Sequence, residues 1–226
     1  MKKLKITLIS ILASAVMTVS SYSLDVKIGL SAGFAALEAS GSETLKDSGT
    51  VTSHTEQANA VIPSIFLEVA MENGFGIGLD SVTGSANLAG SNHESKTMVA
   101  KTDGASDTGQ NIANAEVTSI RTAYLIKQFQ NGFLIKVGRA SADVNTLETL
   151  ATGSTYGNTS VDGSHFGIGY QVIGDTGIFF RASVENTNFD TITLTSGVAD
   201  AVTATTNSIK ADVDVQAAKF SIGKSF

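Results

Sequence analysis

The 226-residue sequence has no cysteine, no tryptophan and one proline, Pro63. Without cysteine, no disulfide can brace the fold in any compartment. With one proline, nearly every backbone N–H remains a donor, which suits a continuous hydrogen-bonded sheet. Beyond residue 19 no apolar run approaches the roughly 20 residues that a membrane helix needs. A membrane crossing would therefore have to be made by strands. Charge is sparse and skewed, with 15 basic against 21 acidic residues, a balance that argues against nucleic acid as a partner. Glycine is plentiful, at 22 residues.

Residues 1–23 have the layout of a secretory signal. Lys2, Lys3 and Lys5 precede an apolar run from Ile6 to Val19, and the small residues around Ser20, Ser21 and Ser23 offer a cleavage site. The expected organisation is a signal peptide over 1–23 and one domain over 24–226. Removing the three lysines leaves 12 basic residues against 21 acidic ones, a net charge of −9.

The remainder alternates with period two, the mark of strands with two unlike faces. The first strand is expected at Asp25–Leu37, with Val26, Ile28, Leu30, Ala32, Phe34 and Ala36 on one face. The second covers Val61–Met71, with Pro63 near its start, where a missing donor is tolerated. The third covers Phe75 to about Thr83, with Asp80 opposite Phe75, Ile77 and Leu79. The fourth covers about Glu116–Gln128 and is read with Ile120, Thr122, Tyr124 and Ile126 on the apolar face and Arg121 and Lys127 on the polar face. The next three cover Phe133 to about Ala142, Gly163–Val172 and Ile178 to about Phe189. The eighth runs from about Asn207 to Phe226. Its parity drifts, because Val213 and Val215 are odd while Phe220 and Ile222 are even, so a bulge near Gln216 or Ala217, or an extramembrane upper half, is expected.

The connections alternate strictly. Glu72-Asn73-Gly74, Gln130-Asn131-Gly132 and Gly174-Asp175-Thr176-Gly177 are tight-turn signals. The other four, including Glu38–Ala60 and about Gly84–Asn114, are long and polar. Short turns on one side and long loops on the other match an outer-membrane barrel. The competing reading is a soluble barrel with apolar residues inside and charges outside.

The terminal segment Ala218–Phe226 and the stretch Phe180–Asp190 carry a resemblance to the small eight-stranded Gram-negative outer-membrane barrels of the OmpA, OmpX and opacity-protein group. The resemblance extends over the whole mature chain, with Lys224 departing from the usual apolar residue near the end. It implies an all-β fold, a transmembrane antiparallel up-and-down barrel of eight strands. It further implies that Phe220, Ile222 and Phe226 act as an assembly signal for the barrel-insertion machinery. The expected location is the bacterial outer membrane, with outer-membrane lipids as partners and an extracellular partner at the loops. The implied role is structural or adhesion-like. A narrow porin-like channel is the alternative, and an envelope-lipid enzyme a distant third.

Candidate chemistry is concentrated on the polar face. Glu68, Asp80, Arg121, Lys136, Arg181, Glu185 and Lys219 are expected inside the barrel, with Asp80 near Arg121 and with Arg181 and Glu185 near Lys219. These charges would form either a gate for ions or a salt-bridge plug. An eight-stranded barrel is just wide enough for side chains to fill it, so the plug is expected. Inward Gly29, Gly33, Gly76, Gly78, Gly167 and Gly169 leave space for a narrow water path. The aromatics Phe75, Tyr124, Phe133, Tyr170, Phe220 and Phe226 are expected to form an interfacial girdle. Ser164 and His165 are adjacent on a strand and so point to opposite faces, a poor start for a nucleophile and its base. His54 and His93 fall in expected loops, and no residues show metal-ligand spacing. The acidic loop residues, such as Glu43, Asp103 and Asp200, are read as solvated. No cofactor and no enzymatic activity are expected.

Overall fold

In the computed structural model, described over residues 24–44, 49, 51–87, 115–147, 155–197 and 206–226 with four two-residue fragments between 94 and 112, eight long strands close on themselves. They are β1 (Leu24–Thr44), β2 (Val51–Met71), β3 (Phe75–Val82), β4 (Ala115–Gln128), β5 (Phe133–Thr146), β6 (Thr159–Ile173), β7 (Ile178–Phe189) and β8 (Ser208–Ser225). Each pairs antiparallel with its neighbours in the chain, and β1 pairs with β8 from Lys27↔Ser225 to Thr44↔Ser208, which closes the barrel. The expected signal peptide and His93 lie outside the described residues.

The pairing sets the strand tilt. Ile77 pairs with Leu125, and the same row continues through Val137, Phe166, Asn186, Gln216 and Ala36 to Asn59 on β2. Ile77 also pairs directly with Val69, ten residues further down β2. A stagger of ten residues around eight strands tilts the strands steeply and leaves an interior that side chains can fill.

The three short turns share one construction. Gly74, Gly132 and Gly177 have φ of 80°, 89° and 79°, a left-handed conformation open to glycine at little cost. Their N–H groups donate to Met71, Phe129 and Gly174 at 2.8–2.9 Å. Asn73 and Asn131 accept from the N–H of Phe75 and Phe133. These are the positions where the sequence places Asn-Gly or Thr-Gly.

Several expectations need correction. Glu38–Ala60 is not a polar loop: β1 continues to Thr44 and β2 begins at Val51. The extension is polar outside, as in the Glu38–Gln57 and Ser40–Thr55 pairs, and small inside, at Ala39, Ala58 and Ala60. It lacks the large apolar residues that mark the lower strands, yet its ladder is continuous. His54 thus belongs to β2. Pro63 lies within β2 at the frayed end of the β2–β3 ladder, where Thr83 N–H donates to its carbonyl at 2.8 Å. In an antiparallel ladder a residue's N–H and C=O face the same neighbour, so the missing donor faces β3 just beyond its last residue, Val82.

No bulge interrupts β8, whose register with β1 is unbroken through Gln216 and Ala217. The irregularity is in β4. Between Ser141/Asp143 of β5 and Arg121/Thr118 of β4 the register shifts by one residue, and Ser119 has φ 55°. This bulge reverses the parity of β4. Below it Thr122, Tyr124 and Ile126 face inward and Arg121, Ala123 and Leu125 face outward. The expected orientation of the fourth strand is therefore inverted.

Outside and inside both change character at one height. On the lower barrel the outer face carries exposed Leu30, Phe34, Leu125, Phe166, Phe180 and Phe220, an apolar band too large for a water-facing surface. Its interior there is charged. On the upper barrel the exterior is polar, and the interior is a packed apolar cluster that includes Leu37, Val117, Val144, Phe189, Val213 and Val215. The drift of apolar parity in β8 marks this exchange: Val213 and Val215 belong to the upper core, Phe220 and Ile222 to the lower belt.

Candidate functional site: the charged lumen

The lower lumen is built from alternate residues of neighbouring strands. At its centre Arg181 of β7 forms a two-pronged pair with Glu68 of β2, at 2.7 and 2.6 Å. This is the planar geometry in which guanidinium and carboxylate pair most strongly. Arg181 also donates to Gln171 at 3.0 and 2.6 Å, and Tyr124 Oη donates to Glu68 at 2.7 Å. The rings of Phe66 and Phe179, 6.1 Å apart, stand together beside the guanidinium at 4.9 and 5.5 Å. Above this pair, Glu185 accepts from Lys136 at 2.9 Å and from Ser183 at 3.0 Å, and its other oxygen is 3.1 Å from Lys219 Nζ. Lys219 also reaches Asp80 at 3.3 Å, and Ser64 donates to Asp80 at 3.2 Å. Three carboxylates and three cations form a neutral lattice of two adjoining ion-pair groups, with Lys136 Nζ 4.8 Å from the centre of the Tyr124 ring between them.

Six of the seven sequence-predicted lumen residues are thus brought together: Glu68, Asp80, Lys136, Arg181, Glu185 and Lys219. Arg121 is not among them. It lies on the outer surface of β4, so Asp80 pairs with Lys219 instead. Tyr124 likewise leaves the expected girdle for the lumen, whereas Phe75, Phe133, Tyr170, Phe220 and Phe226 are exposed on the outside. The sequence signal lies in the order of the outward β4 row, Lys127, Leu125, Ala123, Arg121. The cations stand at its two ends, where a long side chain can reach an interface.

Phe66, Phe179 and Gln171 are lumen residues, the first two sharing the inward parity of Glu68 and Arg181. The cue to them was the inward glycines. A Cβ on Gly29 would stand 2.3 Å from the Phe66 ring, one on Gly78 2.4 Å from Tyr124, and one on Gly223 2.4 Å from Phe179. Each ring packs flat against a glycine on a neighbouring strand. Of the inward glycines noted in the sequence, Gly29 and Gly78 are thus covered by aromatic rings, while Gly33 and Gly167 face the side chains of Lys219 and Glu185.

Lower still, Lys27 is fully buried, pairs with Asp25 and donates to Gln128 at 3.0 Å. At the upper edge of the lattice His165 contacts Thr187 at 2.9 Å and stands 3.9 Å from Glu185. A cavity of about 30 Å³ remains where the lattice meets the upper core, beside His165, Glu185 and Lys219. It has room for a water molecule or two. The top is crossed by Tyr156, whose hydroxyl reaches Glu43 at 3.0 Å.

Among the described residues, no group of three or more His, Asp or Glu side chains is placed to hold a metal ion. Ser164 is exposed outside while His165 is buried inside. What the lattice can do is seal the barrel. A buried charge without its partner costs several kcal/mol, so an ion or solute entering the lumen would have to break several pairs at once.

No protein-family model and no curated protein sequence matches the chain. Solved structures do. The outer membrane protein OprG from Pseudomonas aeruginosa superposes with a TM-score of 0.57 at 13% identity, over 91% of this chain and 97% of that one. The outer membrane protease OmpT from Escherichia coli gives 0.49 at 8% identity, over 92% and 99%. The attachment invasion locus protein Ail of Yersinia pestis gives 0.40 at 11% identity, over 89% and 98%. With its eight-stranded closure, apolar outer belt and charged lumen, the chain has the β-barrel fold of outer-membrane proteins.

Proposed function

We propose that the protein is a sealed barrel of the bacterial outer membrane that serves as a platform for contacts outside the cell, without enzymatic activity. The observation that carries this reading is the closed lumen. A neutral ion-pair lattice fills the membrane-depth interior and an apolar core fills the part above it. A conducting barrel would need a continuous aqueous path, and among the described residues the ion pairs of the lower half and the apolar packing of the upper half stand against one.

The upper barrel supports the platform role. Three of its strands, β1, β2 and β8, rise well above the apolar belt, which ends near Phe34, Val61 and Ala218. This extension carries the barrel wall beyond the apolar belt and is internally packed. The contacts made there are adhesion-like or structural, and the partner is read by the loops.

Planar-bilayer recording on the purified barrel tests the seal. No unitary current is expected from the wild type. Steady single-channel steps that change in Arg181→Ala would overturn the reading in favour of a narrow channel. An epitope inserted at Gly49 should be labelled on intact cells, and one at Asp175 only after the outer membrane is permeabilised.

A further inference from the structure

The outer face of each strand can be followed upward from the apolar belt to its first polar residue. On six strands that residue is neutral or acidic: Glu38 on β1, Asn59 on β2, Ser81 on β3, Ser164 on β6, Asn186 on β7 and Gln216 on β8. On β4 and β5, which are adjacent, it is arginine. The β4 row passes from Leu125 through Ala123 to Arg121, and the β5 row from Ile135 through Val137 to Arg139. Arg139 pairs with Ala123 and Arg121 with Ser141, so the two arginines are diagonal neighbours. Such positions are about 7–8 Å apart between Cα atoms, well within reach for two long side chains.

Both arginines are exposed, and neither has a buried partner. Arg121 makes no hydrogen bond or ion pair with a described residue. Arg139 has one contact, to Asp190 at 3.5 Å, in which both side chains are about two-thirds exposed. An exposed pair of this kind contributes about 1 kcal/mol or less and is readily exchanged for a better anion. Beneath the arginines the wall is apolar, with the small side chain of Ala123 among Leu79, Leu125 and Val137. Cations at the rim of the belt above an apolar wall match an amphiphile with an anionic head and acyl chains.

We propose that Arg121 and Arg139 form a docking site for the phosphate of a phosphorylated glycolipid in the outer leaflet, with its acyl chains lying over Ala123. Guanidinium groups bind phosphate through paired N–H donors. The net charge of −9 expected for the processed chain makes this site selective by position, since among the described residues the first polar position above the belt on the other six strands offers the phosphate neutral groups or a carboxylate. Asp190 is the internal competitor for Arg139. This inference rests on the outer-membrane location proposed above but not on the sealed lumen or on any loop partner.

The test is native mass spectrometry of the processed barrel in detergent, titrated with bisphosphorylated lipid A, its dephosphorylated form or phosphatidylcholine. One lipid A should be retained per barrel, and the other two lipids should be lost at least ten-fold more readily. Arg121→Ala with Arg139→Ala should lower lipid A retention at least ten-fold, whereas Lys127→Ala, at the opposite rim, should leave it unchanged. Asp190→Asn should raise retention by freeing Arg139. Equal retention by the double arginine variant, or retention that ignores the phosphates, would overturn the site. Each variant is checked for folding by its gel mobility before and after heating. Failure of the barrel to fractionate with the outer membrane would instead strike the location.

Discussion

Arg181 shows how one residue sets the requirements of its neighbours. Its guanidinium is fully buried, so its donors need acceptors, and Glu68 and Gln171 together take four of its five N–H groups. Phe66 and Phe179, packed against each other, stand beside the guanidinium and strengthen the pair by lowering the local dielectric. Replacing Arg181 by Met would leave the Glu68 carboxylate buried beside Tyr124 and lacking its direct ionic partner. We expect a loss of about 3–5 kcal/mol, read as a lower urea midpoint for unfolding in detergent micelles. The double variant Arg181→Met with Glu68→Gln should regain part of that loss. A single variant with the parent's midpoint would show that the lattice does not hold the barrel.

At the level of the element, β4 is the strand whose structure departs most from its pattern. Its bulge at Ser119 reverses which parity meets lipid, and nothing in the local sequence announces a positive φ at a serine. Tyr124 and Ile126 read as lipid-facing because both are large and apolar, yet Leu125 is the outward residue, at 65% exposed. The consequence is testable on adjacent positions. Leu125→Arg places a charge in the apolar belt and should cost about 2–4 kcal/mol in folding from urea into lipid vesicles. Tyr124→Phe keeps the ring against Gly78 and removes only the hydrogen bond to Glu68, about 1–3 kcal/mol. If Leu125→Arg folded as well as the parent, the strand would have the other face outward. The belt portions of the other seven strands are legible, because their apolar rows face lipid and their tight turns carry glycine where a left-handed residue is needed, whereas the upper halves of β1 and β2 lack the large apolar residues that would mark them as strand.

For the whole molecule, closure depends on the seam between β1 and β8. Phe226 takes part directly: its N–H donates to Val26 at 2.9 Å and its carbonyl accepts from Val26 at 3.4 Å, while its ring is 72% exposed beside the belt. Phe226→Ala should keep these backbone bonds and remove the ring, lowering the amount of assembled barrel in the outer membrane without changing the stability of barrel that has folded. Normal assembly in that variant would mean that the ring is not read during insertion. Phe220 and Ile222 lie on the same outward row, at the interior of the belt.

The sequence by itself determined the belt portions of the strands, the three tight turns, the apolar belt and most of the charges that meet inside. All of these follow from period-two patterning and turn chemistry, which act between residues close in the chain. Tertiary structure alone decided the pairing of Arg181 with Glu68 and of Asp80 with Lys219, the place of Arg121 on the outer rim, and the filling of the glycine gaps by Phe66, Tyr124 and Phe179. Those outcomes depend on a bulge and on a stagger of ten residues accumulated around the barrel. That stagger sets which side chains stand at the same height across the lumen, and no single strand contains it.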